Sequence, residues 1–297
     1  MNHAIETRGL TRRFRRSEAV HDLTLTVPVG GACAFLGRNG AGKTTTIKML
    51  AGLLPPTCGE SFLLGRPSQK LQPDDWRKIG YVSENQELYG WLTAKELIAF
   101  TRALYPAWDT AFEQQLTRLL DVPLDRKVRA LSRGQRAKLA LLLAIAFHPR
   151  LLILDEPFAG LDPLSREEFL TSLLEITAQQ EWSMFFSTHD IDDVERLADQ
   201  VAIIEDGVLQ VNEPLDQLQQ RFREIEVEGG PAGTAPPPGA QLVKQAGARL
   251  SYVDLAFSDE AAVHALFPGA RVQVLPMSLK AIFLAQAKIF QQRRSAP

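Results

Sequence analysis

The feature that most constrains this sequence is the glycine-rich stretch at residues 35–45, which follows an apolar run and precedes a helical pattern. Its letters match G-x-x-x-x-G-K-[ST], and a strand before it and a helix after it are the context in which that pattern binds phosphate. The loop consists of Gly37, Arg38, Asn39, Gly40, Ala41, Gly42, Lys43, Thr44 and Thr45. Its glycines leave room for backbone N–H groups to surround an anion at the positive end of the helix. The alternative is a flexible loop that only caps a structural helix.

Three side chains at the end of this loop have the chemistry of a nucleotide site. Lys43 supplies a mobile cation for the β- and γ-phosphates, and Thr44 offers a hydroxyl group to Mg²⁺. Thr45 is placed to donate to a phosphate oxygen. The stretch therefore predicts a nucleoside triphosphate and Mg²⁺ as ligands.

Composition excludes some classes of function. With 297 residues, of which 45% are hydrophobic, the chain has room for two domains. The formal charge of −2 and the lack of a long basic block do not indicate a nucleic-acid-binding surface. Cys33 and Cys58 have no metal or redox spacing, which is typical of a reducing cytosol. The longest apolar run, residues 139–147, is too short to span a bilayer, so we expect any membrane span to belong to another chain.

Two acidic residues end a continuous apolar run at residues 151–155. Such a run is typical of a strand buried on both faces of a parallel sheet, and ligands bind at the carboxyl ends of such strands. Asp155 and Glu156 would be costly to bury together without a cation, so they indicate a metal ion or a basic partner. His189 follows the next buried strand, residues 183–187, and only its location singles it out.

Several helix starts are recognisable from capping residues. Thr93 and Glu96 form a capping box that predicts a helix at 94–105, followed by one at 109–120. Ser132 precedes a broadly apolar helix at 136–147 and is either an ordinary N-cap, which the residues alone favour, or part of an anion site. A second capping box at 165–168 predicts the start of another helix.

The ends of the chain leave two alternatives open. Phe14, in a predicted polar loop at 11–17, is either a stacking platform for a base or a hydrophobic plug, and its position alone favours the plug. After a Gly/Pro-rich tract at 229–239, Ser278 caps a helix with an apolar stripe. Packing on its own small domain is favoured for this stripe over contact with a partner.

Taken in order, these stretches resemble the ATP-binding cassette family over residues 4–215. The resemblance rests on the Walker A loop at 37–44, a signature sequence at 131–135 and the Walker B strand at 151–156. A D-loop at 160–162 and a switch histidine, His189, complete it. In the signature, Arg133 replaces the first glycine of the family pattern Leu-Ser-Gly-Gly-Gln.

The resemblance implies an α/β fold, a P-loop NTPase core with an N-terminal antiparallel β subdomain and a helical signature subdomain at 91–147. This cassette domain would occupy residues 1–221, and a small α+β accessory domain would occupy residues 222–297. Phe14 becomes the residue that stacks on adenine, which reverses the preference stated above. Two cassettes, identical or different, would face head to tail, so that nucleotide is also contacted by Ser132, Gly134, Gln135 and Asp162.

The resemblance also implies ATP hydrolysis. Glu156 would polarise the attacking water, Asp155 would hold Mg²⁺ through its water shell, and His189 would contact the γ-phosphate. Where the family has a glutamine, this chain has Glu84, with Gln86 two places on, and either residue could complete the Mg²⁺ coordination.

Three classes of function compete. The first is the subunit that energises a transporter from the cytoplasmic face of the membrane, with a separate membrane-spanning permease as partner. A single cassette with a C-terminal extension is similar to drug, antibiotic and sodium exporters. The second is a soluble cassette that acts on a nucleic-acid or ribosomal complex, although no nucleic-acid partner is expected. The third is a P-loop kinase or GTPase, which the signature and His189 argue against.

Overall fold

The computed structural model describes residues 3–15, 17–85, 87–229 and 235–295. The chain forms two compact units, Met1–Asn212 and Glu213–Pro297. The division lies before the expected boundary at 221/222, because the helix that ends at Arg221 belongs to the second unit. There the guanidinium group of Arg221 binds the Glu213 carboxylate at 3.0 Å and the Leu255 carbonyl oxygen at 2.7 Å.

Strands and helices alternate along most of the chain. The strands are β1 His3–Phe14, β2 Ser17–Leu23, β3 Thr26–Pro28, β4 Gly31–Leu36, β5 Cys58–Leu63, β6 Arg66–Pro67, β7 Ile79–Val82, β8 Leu151–Asp155, β9 Ser183–Thr188, β10 Gln200–Glu205, β11 Val208–Pro214, β12 Arg223–Glu228, β13 Gln241–Ala246, β14 Arg249–Asp254 and β15 Arg271–Pro276. The helices are α1 Lys43–Leu50, α2 Pro73–Trp76, α3 Ala94–Arg102, α4 Thr110–Leu119, α5 Arg133–Ile145, α6 Pro163–Thr177, α7 Ile191–Leu197, α8 Leu215–Arg221, α9 Glu260–Leu266 and α10 Leu279–Ser295. Short 3₁₀ turns lie at Ser68–Lys70 and Val128–Ala130.

An antiparallel sheet in the order β2-β1-β5-β6, with β3 also paired to β1, forms the N-terminal part. The predicted loop at 11–17 is wrong, because β1 continues to Phe14, which pairs with Ser17 in a hairpin. Strand β2 ends at Leu23, and β3 begins at Thr26. The antiparallel subdomain itself is confirmed.

The central sheet has the order β11-β10-β4-β9-β8-β7, and its strands from β10 to β7 are parallel. In the register of this sheet, Leu36 lies beside Thr188, and Asp155 lies beside Ser187. Because parallel strands point the same way, their carboxyl ends meet at one edge. The phosphate loop, the two acidic residues and His189 are therefore brought to that edge.

A glycine turn joins this sheet to the antiparallel one. Asp206 and Gly207 connect β10 to β11, and both have positive φ, as a type I′ hairpin turn requires. The Gly207 N–H donates to the Ala41 carbonyl oxygen at 2.9 Å, and the Gly207 carbonyl oxygen accepts from the His21 N–H at 2.8 Å. A Cβ at position 207 would lie 2.8 Å from the Ala19 carbonyl oxygen, so a side chain does not fit there.

Three of the predicted caps, at Thr93, Ser132 and Ser278, are confirmed, and one is wrong. Thr93 and Ser132 are the N-caps of α3 and α5 in reciprocal capping boxes. Helix α5 begins at Arg133, directly after its cap, and not at the predicted residue 136. Helix α6 does not begin at the predicted box at 165–168 but at Pro163, and the Asp162 carboxylate caps it by accepting from the Ser165 N–H. Proline at the first helical position has its φ preset and needs no N–H partner, which favours the earlier start.

The second unit is an antiparallel sheet in the order β13-β14-β12-β15 with the helices α8, α9 and α10. Its core contains Ile225, Leu250, Tyr252 and Phe267. Ser278 accepts from the Ala281 N–H as predicted, and the α10 stripe is buried at Leu279, Ile282, Phe283 and Phe290. Residues 230–234 of the Gly/Pro-rich tract lie outside the described residues. No described helix combines the length and the apolar composition that a membrane crossing requires.

Candidate nucleotide-binding site

The phosphate loop ends in a helix whose first turn has no side-chain cap among the described residues. The first N–H groups of an α-helix have no intrahelical acceptor, so those of α1 are available to an external anion. Gly42 has a φ of 106°, and a Cβ there would lie 2.4 Å from the Ala19 carbonyl oxygen. The Gly37 N–H, in contrast, donates to the Thr188 carbonyl oxygen at 3.3 Å, so it anchors the loop instead of facing a ligand.

The Lys43 side chain lies inside this loop and is buried. Its Nζ donates to the carbonyl oxygens of Gly37 at 2.7 Å and Arg38 at 3.2 Å. It also lies 3.0 Å from Glu156 Oε1, and the two side chains are only 5% and 8% exposed. Lys43 is thus a basic partner of Glu156, which is one of the two alternatives, a metal ion or a basic partner, that the sequence indicates for the acidic pair.

Asp155 lies at the end of β8 and is 1% exposed. Its Oδ1 accepts from the hydroxyl groups of Ser187 at 2.7 Å and Thr44 at 3.2 Å. Its Oδ2 is buried and has no hydrogen-bond partner among the residues that the structure describes. Burial raises the pKa of this carboxyl group, the two hydroxyl groups partly offset the rise, and the charges of Glu84 and Glu156 add to it.

This donor set fits Mg²⁺. A carboxylate oxygen without a partner and a nearby threonine hydroxyl group are the hard oxygen ligands that Mg²⁺ prefers, usually together with water and phosphate. A bound cation would also stabilise the charged form of Asp155, which opposes the effect of burial on its pKa. We therefore assign Thr44 and Asp155 as the residues of this chain that suit the ion.

Glu156 has a strained backbone and two charged or polar partners. Its φ is 47°, which is uncommon for a residue with a side chain, and its N–H donates to Ser187 Oγ at 2.8 Å. Its Oε2 lies 2.9 Å from Nδ1 of His189, whose side chain is about half exposed. Strain of this kind persists where surrounding contacts determine the conformation, and it is concentrated at functional sites.

A cavity of about 260 Å³ lies over the phosphate loop. Its lining residues are Ala19, Asn39, Gly40, Gly42, Lys43, Thr44, Thr45, Glu84 and Glu156. Glu84 therefore faces the same cavity as Thr44, whereas Gln86 lies outside the described residues. The cavity can accept a polyphosphate beside a carboxylate, which is the arrangement needed to direct water at a terminal phosphate.

Other predicted site residues do not line this cavity. Ser132 is exposed, and its hydroxyl group and the Gln135 side chain bond to each other's backbone N–H at 3.1 Å. Gly134 is buried, because a Cβ there would lie 3.0 Å from the Ser165 side chain. Asp162 caps α6, and its hydrogen bonds with Ser165 lower the pKa of its carboxyl group.

Phe14 also lies outside the cavity lining. Its ring is 45% exposed, so it is not a core plug, and one face is covered by the Arg12 guanidinium group at 4.8 Å from the ring centroid. The Arg12 side chain is held in turn by the Pro55 carbonyl oxygen at 2.7 Å. The ring is accessible and supported from one side, which suits stacking on a base.

Ser187 is a site residue that the sequence reasoning missed. It is fully buried and links the two acidic residues by donating to Asp155 and accepting from the Glu156 N–H. The available signal was a serine near the carboxyl end of an apolar strand that follows the acidic one. Its partners become identifiable only from the parallel register, in which Asp155 pairs with Ser187.

We expect Ser187→Ala to destabilise the chain by about 1–3 kcal/mol, because it leaves the buried Glu156 N–H without a partner and removes a donor to Asp155. Ser172→Ala is the matched control, since that hydroxyl group bonds only to the Glu168 carbonyl oxygen one turn earlier in α6. Urea unfolding of both variants measures the difference. Equal losses in the free energy of unfolding would show that the hydrogen bonds of Ser187 stabilise the chain no more than that of Ser172.

Comparison with known proteins places this geometry in context. A protein-family model described as ABC transporter matches residues 20–159. The chain is 33% identical over 225 residues to the bacitracin transport ATP-binding protein BcrA of Bacillus licheniformis, a match that covers 75% of this chain and 74% of that protein. It is 31% identical to the sulfate/thiosulfate import ATP-binding protein CysA of Escherichia coli, which covers 72% of this chain and 61% of that protein.

Solved structures agree with the fold. One described as the ATP-binding subunit of an ABC transporter superposes with a TM-score of 0.64 at 29% identity, covering 73% of this chain and 92% of that chain. A dimeric ATP-binding cassette in a post-hydrolysis state with ADP and Pi superposes with a TM-score of 0.63 at 22% identity, covering 71% and 98%. At that identity, the second match shows the fold alone.

Proposed function

We propose, from the premise that this chain belongs to the ABC transporter family of ATP-binding, ATP-hydrolysing subunits, that it energises export of a substrate through a separate membrane-spanning partner. The observation that carries the proposal is the cavity in which an uncapped helix end, Lys43 and Glu156 converge.

ATP is bound through its triphosphate and its base. The phosphates lie on the loop from Gly37 to Thr45, against the free N–H groups of α1 and the Lys43 ammonium group. Adenine stacks on the exposed face of Phe14, opposite the face that Arg12 covers. Base stacking on an aromatic side chain contributes about 1–3 kcal/mol in nucleic-acid complexes, so it is a substantial part of nucleotide affinity.

Thr44 and Asp155 would hold Mg²⁺, and the ion would supply positive charge that neutralises the phosphates. Glu84 faces the same cavity and is a candidate for further coordination, as is Gln86. Asp155 is kept in place by Ser187, which donates to its Oδ1, while its Oδ2 has no hydrogen-bond partner among the described residues.

Hydrolysis follows from the position of Glu156. Triphosphate binding gives Lys43 a new anionic partner, which leaves the Glu156 carboxylate able to accept a proton from water directed at the γ-phosphorus. His189, within 2.9 Å of that carboxylate, orients it and contacts the γ-phosphate. Catalysis is then mainly positioning and charge stabilisation, as in other phosphoryl transfers.

A second cassette completes the site from outside. Ser132 is exposed at the N-terminus of α5, yet neither it nor Gly134 nor Gln135 lines the cavity of its own chain. In a head-to-tail dimer, this helix end, together with Asp162, faces the γ-phosphate held by the neighbour. A helix N-terminus is suited to an anion, so ATP would hold the two cassettes together.

The membrane partner docks on an apolar groove of about 390 Å³ between β7 and helices α3 and α5. Tyr89 packs against Trp91 and Phe100 at ring-centroid distances of 5.0 and 5.7 Å, and Trp91 is 67% exposed. Exposed apolar surface of this kind marks interaction sites. Because relatives of this chain are subunits of transporters and no described helix spans a membrane, we assign the groove to a cytoplasmic segment of the permease.

The same chain segment connects the groove to the nucleotide. Glu84 lines the ATP cavity, and Glu87, Leu88 and Tyr89 line the groove. A shift of this segment on ATP binding or hydrolysis would therefore be felt by the partner. The chain would work at the cytoplasmic face of the membrane without entering it.

Export is favoured over import by the extent of similarity. The match to the bacitracin transport protein covers similar shares of both chains, 75% and 74%, whereas the match to the sulfate/thiosulfate import protein covers only 61% of that protein. The substrate is determined by the permease.

Affinity purification of the tagged chain from membranes tests the proposal. We expect a membrane-spanning protein to co-purify, and we expect Trp91→Ala combined with Phe100→Ala to reduce its recovery while ATP hydrolysis by the purified cassette persists. Leu53→Ala, another exposed apolar side chain, serves as the control. Co-purification with ribosomes or nucleic acid would contradict transport and support the second class of function.

A further inference from the structure

Arg133 occupies an unusual position in the signature sequence. It is the first residue of α5, directly after the N-cap Ser132, where the family pattern has glycine. Its guanidinium group fills the space above Gly160, because a Cβ added to Gly160 would lie 2.3 Å from Nη1 and 2.4 Å from Cζ of Arg133. The three atoms nearest to that point all belong to Arg133. The side chain therefore crosses from the signature helix to the D-loop.

Gly160 is suited to this contact by its backbone. Its φ is 68°, which a residue with a side chain rarely adopts, and the missing side chain leaves the surface that the guanidinium group covers. The D-loop begins four residues after Glu156 and continues to Asp162, the N-cap of α6. Arg133 also lines a cavity of about 260 Å³ together with Glu156, Ala159 and Leu161. Arg133 of the signature sequence thus contacts the D-loop, which follows the proposed catalytic residue Glu156 in the chain.

Helices α5 and α6 are already packed together beyond this point. A Cβ at Gly134 would lie 3.0 Å from the Ser165 side chain, and Lys138 Nζ bonds to Glu168 Oε2 at 2.7 Å. These contacts join the bodies of the two helices. The Arg133 contact extends the connection to the loop that precedes α6.

We propose that Arg133 is a positioning residue that couples the two ATP sites of the dimer. The inference rests on the proposed head-to-tail arrangement, in which the signature end of one cassette completes the neighbour's site. A change near Glu156 in one site moves the D-loop, and Arg133 transmits that movement to Ser132 of the same cassette. Occupancy of one site then alters the affinity of the other, which is the definition of coupling between sites.

The test compares Arg133→Ala with Arg136→Ala, which removes the same charged group one turn further along the exposed start of α5. ATP hydrolysis by the full chain is measured over a range of ATP concentrations to obtain kcat, KM and the Hill coefficient. We expect positive cooperativity in the parent and in Arg136→Ala. Arg133→Ala should lower the coupling factor between the sites by about 2- to 30-fold, moving the Hill coefficient towards 1. Arg133→Lys keeps the positive charge but loses the planar guanidinium group, so we expect it to keep only part of the parental coupling.

Gly160→Ala tests the same contact from the other side. The added methyl group displaces the guanidinium group, so we expect the same loss of cooperativity, and the double variant with Arg133→Ala should lose no more. A Hill coefficient of 1 in the parent, or equal coefficients for the Arg133→Ala and Arg136→Ala variants, overturns the coupling role. Co-purification with ribosomes or nucleic acid in place of a membrane-spanning protein would instead overturn the proposed function, so the two failures are distinguishable.

Discussion

Glu156→Gln is expected to lower the rate of ATP hydrolysis by about 10²–10³-fold while ATP binding persists. Glutamine keeps the size and the hydrogen-bonding reach of the side chain, but it cannot accept a proton from water. Because the phosphate loop and Lys43 are unchanged, ATP should accumulate in the site and hold two cassettes together. Phosphate release and size-exclusion chromatography with ATP and Mg²⁺ measure the two effects.

The control for this variant is Glu167→Gln, which neutralises an exposed carboxylate paired with Arg196 at 2.6 Å in the same unit. We expect it to hydrolyse ATP at close to the parental rate and to remain in the parental oligomeric state. Parental hydrolysis by Glu156→Gln would mean that another group activates the water.

Lys43→Ala is expected to abolish ATP binding and also to destabilise the nucleotide-free chain by about 3 kcal/mol. The physical reason is that both partners of the Lys43–Glu156 pair are buried, so removing the lysine leaves a carboxylate away from water with His189 as its remaining partner. Breaking a buried ion pair from one side typically costs about 3–5 kcal/mol, and the half-exposed histidine places this case near the lower end. Urea unfolding without nucleotide measures the loss.

A double variant separates this effect from lost packing. Lys43→Ala combined with Glu156→Gln removes the buried charge as well, so we expect much of the stability to return. Lys138→Ala is the matched lysine control, because its partner Glu168 is about half exposed and can be solvated when the lysine is removed. Equal destabilisation by the two lysine variants would argue against a buried charge at Glu156.

The elements that were predictable from the sequence are those with strong local patterns. The apolar runs before Gly37 and Asp155 predicted the strands β4 and β8, and the glycine spacing predicted the turn into α1. The capping residues Thr93 and Ser132 were identified correctly, because a cap depends on neighbours within one turn.

The elements that were missed depend on contacts distant in sequence. Strand β1 extends through an arginine-rich stretch to Phe14 because residues 17–23 pair with it. The sequence there has no alternation of apolar and polar residues that would predict this pairing. Ser187 acquires its role from the neighbouring strand, and Arg133 acquires its contact from a glycine 27 positions away (160 − 133). The start of α6 was misplaced because two capping patterns, at Asp162 and Ser165, competed within three residues.

The Asp206–Gly207 turn influences the distance between Phe14 and the phosphate loop, and therefore which nucleotide fits the proposed site. One residue, Gly207, bonds to Ala41 in the phosphate loop and to His21 in β2, the partner strand of the one that bears Phe14. The turn therefore helps to set the distance between the aromatic ring and the phosphate loop, which are the two ends of the proposed nucleotide site. A nucleotide whose base and terminal phosphate are separated by a different distance would contact one end of the proposed site but not the other.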